Sequence, residues 1–304
     1  MPSPPSKPPG LQARSDLARL RRATRRRRVT LTRSLYGPES ATRHINRETV
    51  LLLGGGRALL LQVAHPLVAA GVAAHSKFRE DPLQRLWRTL ELTLTITFGD
   101  ARRAIAAVRA IERRHARVHG RLSAAVGPFP RGTRYDANDP ALLFWVHATL
   151  LDTALLVYDR FIEPVPEATQ VRYYEESKIG ARLFGIADRL IPPTYADFQA
   201  YMMDMITGET LTVGEDARSI AASILSPPVP LGVRQALQTA NFFTVGLLPP
   251  AIRERYGFSW GRLREDALDG LAKTAQYVLP VLPDFLRAWP QARLKTTEET
   301  ASLS

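Results

Sequence analysis

From about residue 45 onward, apolar residues recur at helical spacing along the chain, and no stretch shows the period-two alternation of a half-buried strand. The spacing predicts helices over 47–74, 83–98, 100–122, 139–161, 167–190, 195–207, 217–225, 232–244 and 260–279. Proline-bearing breaks separate them, at Asp81-Pro82, Asp139-Pro140, Pro164–Pro166, Pro192-Pro193, Pro227-Pro228 and Pro249-Pro250. A proline ring removes a backbone donor and bars the preceding residue from helical geometry, so each break reads as a boundary. Residues 127–139 are polar, with Gly and Pro among them, and read as a surface loop between two apolar helices. Gly54-Gly55-Gly56 interrupts the first helix but follows no strand, so close helix packing suits it better than a phosphate loop. The pattern predicts an all-α fold, a single multi-helix domain over 41–290, flanked by an arm (1–40) and a flexible tail (291–304).

Composition narrows the chemistry. The chain has 304 residues, 45% of them hydrophobic, as in an ordinary globular protein. It has no cysteine, which excludes disulfide frameworks, thiolate-ligated haem, iron–sulfur clusters and cysteine-ligated zinc. The net charge of +12 is concentrated at the N-terminus, where nine arginines lie between Arg14 and Arg33 against one acid, Asp16. This arm reads as a solvated, partly disordered tail, and peripheral contact with anionic lipid or a partner stays open. It has no interleaved aromatics, so nucleic acid is not an expected partner. No apolar segment follows the basic run, so it is no signal peptide, and a cytoplasmic location is expected. Residues 58–76 form an uncharged run long enough to raise the question of a membrane span. With Gln62, His65, Pro66 and His75 inside it and Arg57 at its mouth, a helix buried in protein is the better reading.

The six histidines are the strong nitrogen ligands available. His115 falls on the apolar stripe Ile105, Val108, Ile111, Val118, Leu122, with Arg103, Arg109, Arg113, Arg114 and Arg117 on the other faces. An inward imidazole among aliphatic side chains suits an axial haem ligand, and equally a hydrogen-bonded core histidine. His147 has Leu143, Phe144, Leu150 and Leu151 as helical neighbours, and either faces a cofactor or packs. His65-Pro66 predicts a kink, which borders a cavity or simply serves packing. Arg85, Arg88 and Thr89 share one helix face, able to hold haem propionates or polarise dioxygen, or else to form a solvated basic face. Glu112-x-x-His115 matches the di-iron carboxylate motif but has no second copy. His115 and His119 have zinc spacing, but Gly120 follows them and no glutamate stands between.

The motifs form an ordered series along the chain. It opens with Arg47-Glu48, Gly54-Gly55-Gly56-Arg57-Ala58 and Gln62-Val63-Ala64-His65-Pro66. Asp81-Pro82 with Arg85-x-x-Arg88-Thr89 follows, then His115-x-x-Val118-x-Gly120 and Asp136-x-Asn138-Asp139-Pro140. Trp145-Val146-His147-Ala148-Thr149, Tyr174-Glu175, Leu190-Ile191-Pro192 and Tyr195-x-x-Phe198 continue it. Leu248-Pro249 and Arg253-x-x-Tyr256-Gly257 close it. Over about residues 44–260 this series resembles the MpaB-type oxygenase family, whose distant relatives include the latex-clearing proteins (rubber oxygenases).

The resemblance implies a globin-like helical core binding one haem b, with His115 as proximal iron ligand. It places a distal cluster on Arg85, Arg88 and Thr89. Beside these, His65, His147 and Arg57 are expected to bind the cofactor, with His65 and His147 lining the pocket and one of them available for the sixth position of the iron. It implies O₂ and an apolar small molecule, long-chain or prenylated, as substrates. Arg88 stands where the rubber-cleaving relatives have lysine, and the two cations are not interchangeable at a ligand pocket. Two other classes stay open: a non-catalytic haem-binding or sensor protein with two histidine ligands, and a cofactor-free helical protein that docks to membranes.

Overall fold

A computed structural model describes residues 34–75, 82–227 and 231–293. Its organising element is the helix α6 (Pro140–Phe161), the one whose sequence is apolar nearly all round. Proline stands at its first position, and the Asp139 carboxylate caps it by accepting the Ala141 N–H at 2.8 Å. The helix is long and apolar enough to cross a membrane, yet other elements surround it here. These are the 3₁₀ turn Thr49–Gly54 and the helices α1 (Ala41–Asn46), α2 (Gly55–Ala64), α7 (Glu167–Leu183) and α12 (Arg262–Val278). Trp145, Val157, Tyr158 and Phe161 of α6 are buried, and the main core continues into α8 (Tyr195–Thr207), α9 (Glu215–Leu225) and α11 (Pro250–Tyr256).

The remaining α-helices are α3 (Pro66–His75), α4 (Pro82–Phe98), α5 (Ala101–His115), α10 (Leu231–Gly246), α13 (Asp284–Arg287) and α14 (Pro290–Arg293), with short 3₁₀ turns at Asp188–Leu190 and Leu279–Val281. A two-stranded antiparallel hairpin, β1 (His119–Arg121) with β2 (Arg134–Asp136), lies between α5 and α6. Thus the fold is all-α with one small hairpin. The prediction is closest at α8, where Thr194 and Asp197 form a capping box and the bounds match.

Several elements depart from expectation. The helix predicted over 47–74 is a 3₁₀ turn, α2 and α3, with the axis bent by 103° before Pro66. His65 takes an extended conformation (φ −79°, ψ 119°), as the residue before a proline must. The glycine triplet serves close packing: a Cβ on Gly54 would lie 2.4 Å from Thr153 Cγ2, and one on Gly56 2.1 Å from Thr244 Oγ1. The helix predicted over 100–122 stops at His115, because the chain then enters β1. There Gly120 pairs with Tyr135, and a Cβ on it would sit 2.5 Å from the tyrosine hydroxyl oxygen. The loop predicted over 127–139 therefore holds strand β2. Helix α7 ends at Leu183, and Gly185 turns the chain in the left-handed region (φ 78°).

Both ends of the described chain fold onto this body. Tyr36 is buried against Ile96, Ala104 and Val108, and the Trp289 N–H donates to the Arg47 carbonyl at 3.0 Å. Buried Glu48 pairs with Arg287 at 3.0 Å and with Arg47 at 3.4 Å. The arginine-rich arm over 1–33 and residues 294–304 lie outside the described residues.

Candidate active site

A cavity of about 500 Å³ opens between α3, α4, the last turn of α5, α6 and α7, within the size range of small-molecule sites. Its walls are mainly aliphatic, from Leu67 and Val72 of α3, Leu92 and Ile96 of α4, and Leu142 and Leu150 of α6. Polar side chains interrupt this lining at a few places.

Four of the residues expected at the site meet there: Arg88, Thr89, His115 and His147. Arg88 is exposed and stands at the rim, while Thr89 is half-buried. The Thr93 hydroxyl donates to the Thr89 carbonyl at 2.9 Å, one turn along the same wall. His115 is the last residue of α5, half-buried, and shares the wall with Ile111 and Arg114 of its own turn. That position follows from the buried stripe Ala101, Ala104, Val108, which fixes the face α5 turns inward.

His147 enters from α6. Burial depresses its pKa to about 4, so the imidazole is neutral at ordinary pH. Its ring is deep inside the protein yet partly accessible, and the accessible part opens onto the cavity. It stacks obliquely on Phe144, and no ring nitrogen is hydrogen-bonded to any described residue. On the other side the chain comes close at Gly180, where a Cβ would sit 3.6 Å from His147 Cε1 and 3.7 Å from the Tyr36 hydroxyl oxygen.

The structure does not bring His65 and Arg57 to the cavity. His65 immediately precedes α3, where its Nδ1 accepts the Leu67 N–H at 3.3 Å and its ring packs on Phe129. The pre-proline break creates helix N–H groups that need an acceptor, and the neutral imidazole supplies one. Burial lowers its pKa to about 4, consistent with that role. Arg57 is buried at 4% exposure and ties three elements together. It donates to the Leu247 carbonyl (2.8 Å), Thr153 Oγ1 (2.5 Å) and Asp152 Oδ2 (2.7 Å). Arg85 belongs to α4, one turn before Thr89, but its side chain lies outside the described residues.

Sequence reading missed other lining residues. His75 and Tyr135 meet across α3 and β2, with Tyr135 Oη 3.3 Å from His75 Nε2, which also lies 3.2 Å from the His119 carbonyl oxygen. Tyr36, Asn46, Thr97 and Tyr173 form a polar pole on the wall between α1, α4 and α7. Tyr36 lies inside what reads as the arm, and Asn46 precedes the first predicted helix, so no periodic signal marked either. Among the described residues, no group of three or more His, Asp or Glu side chains is placed to hold a metal ion, so Glu112-x-x-His115 stays an incomplete motif.

The class the fold defines is an all-helical domain with an internal, mainly aliphatic cavity. The chain belongs to the family described as ER-bound oxygenase mpaB/B'/Rubber oxygenase, catalytic domain, which matches residues 42–277. It is also similar to two uncharacterized mycobacterial proteins, Mb2261 of Mycobacterium bovis and Rv2237 of Mycobacterium tuberculosis. Each is 24% identical over 238 residues, covering 76% of this chain and 89% of the relative. No solved structure matches.

Proposed function

We propose that the protein is a haem-b-dependent oxygenase that acts with O₂ on an apolar small molecule, with His115 as the iron ligand. The observation that carries this is the convergence of His115, His147, Thr89 and Arg88 on one apolar cavity. The donor set bears on the kind of cofactor. A bare iron in a non-haem oxygenase takes two histidines and a carboxylate, and no such group exists among the described residues. A haem brings four nitrogens of its own and asks the protein for one or two imidazoles, which this cavity has. When bound, haem supplies the activation of O₂, which the side chains themselves lack.

The chain's own residues then have distinct tasks. The imidazole of His115, fixed at the end of α5, would hold the iron. Arg88 and Arg114 line the cavity and are exposed, so they would pair with propionates at its open side. The Thr89 hydroxyl would donate a hydrogen bond to charge that develops on oxygen during transfer. The aliphatic walls would exclude water and hold the apolar substrate.

The test is spectroscopic. Protein expressed with haem supply should show a Soret band and one equivalent of pyridine haemochrome. His115→Ala should abolish both while the helical circular dichroism persists. Stoichiometric haem with an unchanged spectrum in the alanine variant would overturn the assignment. His147 favours a second reading, a non-catalytic protein with two histidine ligands, because its neutral ring also faces the cavity. In that case the ferrous protein would be six-coordinate and slow to bind carbon monoxide, and His147→Ala would make it fast.

A further inference from the structure

The polar pole of the cavity is built into an otherwise aliphatic wall. Tyr173 on α7 donates its hydroxyl to Asn46 Oδ1 at 2.8 Å, and Asn46 Nδ2 donates to Thr97 Oγ1 at 3.3 Å. Tyr36 and Thr42 complete the group, and Tyr36, Thr42, Thr97 and Tyr173 are each 5% exposed or less. Burying so much hydrogen-bonding capacity is unfavourable unless each group finds a partner.

Counting donors and acceptors shows what is left over. The second Asn46 N–H and the Thr97 hydroxyl proton have no acceptor among the described residues. The buried Thr42 hydroxyl has no partner at all among them. The unfilled capacity is therefore mainly donor, and it calls for an acceptor atom. An anionic acceptor is disfavoured by Glu176, which sits behind the pole. Its carboxylate accepts the backbone N–H groups of Ala41 (3.2 Å) and Thr42 (2.8 Å) and pairs with Arg172. Burial first, and this negative charge second, raise the pKa of Tyr36 above the ordinary phenol value; both also act on Tyr173. The exposed cations of the cavity, Arg88 and Arg114, stand on other wall elements, α4 and α5, and are the natural seat for anionic groups.

We infer that this pole is a subsite for a neutral carbonyl oxygen at one end of an otherwise apolar ligand, bound through Asn46 and Thr97. The accepted class would be an aliphatic or isoprenoid ketone, aldehyde or quinone, in preference to a plain hydrocarbon or a fatty acid. This deepens the function proposed above and depends on it only for calling the ligand a substrate.

Trp289 lines the same cavity, so its fluorescence gives a direct binding readout. Full-length protein is titrated with 2-decanone, decane and decanoate, and haem content is measured on the same sample. The ketone should bind about fivefold tighter than the alkane, the value of one net buried hydrogen bond. Decanoate can seat its carboxylate on Arg88 and Arg114 instead, so its affinity should not depend on the pole. Thr97→Val conserves shape, so it should lower the ketone's affinity toward the alkane's and leave the alkane and decanoate unchanged, with a parental melting curve as control. Equal ketone and alkane affinities in the parent would overturn the proposal. So would a Thr97→Val loss shared equally by all three probes. Haem uptake without ketone preference removes the subsite alone, whereas ketone preference without haem uptake removes the haem reading alone.

Discussion

Arg57 on α2 and His147 on α6 are both nitrogen-bearing side chains set in apolar helices, and the fold uses them in opposite ways. Arg57 is satisfied by protein on every side, through Leu247, Thr153 and Asp152. His147 also sits inside the protein, but its ring nitrogens find no hydrogen-bond partner among the described residues and its accessible surface faces a cavity. His65 resembles Arg57 in this respect, since its Nδ1 is consumed in capping α3. A buried polar group that the protein itself satisfies is a fastener. One left facing an internal space is available to a ligand.

The largest effect that tests this contrast is at Arg57. Arg57→Met removes three donors and one member of a buried ion pair, stranding Asp152 and the Leu247 carbonyl. It should destabilise the protein by about 3–5 kcal/mol, lowering the melting temperature by roughly 10 °C. A parental melting curve with altered haem spectra would reverse the contrast and put Arg57 at the site.

An intermediate effect concerns acid stability. His65 and His147 have folded pKa values of about 4, below the ordinary histidine value of about 6.5. As pH falls, the unfolded chain therefore binds protons before the folded one does. Their contribution to stability is full above about pH 6.5, is lost progressively toward pH 4, and changes little below that, for roughly 3 kcal/mol per histidine. Urea midpoints at pH 7 and pH 4.5 measure it. His147→Leu should lose less stability on acidification than the parent, and equal slopes would mean that His147 is already solvated.

The smallest stability effects belong to the cavity wall. Arg88→Ala and Thr89→Val should each stay within about 1 kcal/mol of the parent, because one is exposed and the other nearly conserves shape. Oxygen reactivity of the haem-loaded protein should fall at least tenfold in Thr89→Val. A melting loss comparable to that of Arg57→Met, with parental reactivity, would class both as fasteners.

The apolar periodicity and the proline breaks were enough to determine the all-helical class, the central helix α6, and α8 with its capping box. These follow from local rules, namely which face repeats every 3.6 residues and where a donor is missing. The same rules put His115 on an inward stripe. They could not decide where α5 stops, because Gly120 leaves the helix to pair with Tyr135, fifteen residues on in the chain. Nor could they separate His147 from His65, which in sequence are equally apolar contexts for an imidazole. Only tertiary packing gave one of them a cavity and the other a helix to cap. The polar pole was beyond local reading for the same reason: Tyr36, Asn46, Thr97 and Tyr173 come from four separate segments, and hydrogen bonds between distant segments leave no periodic trace in sequence.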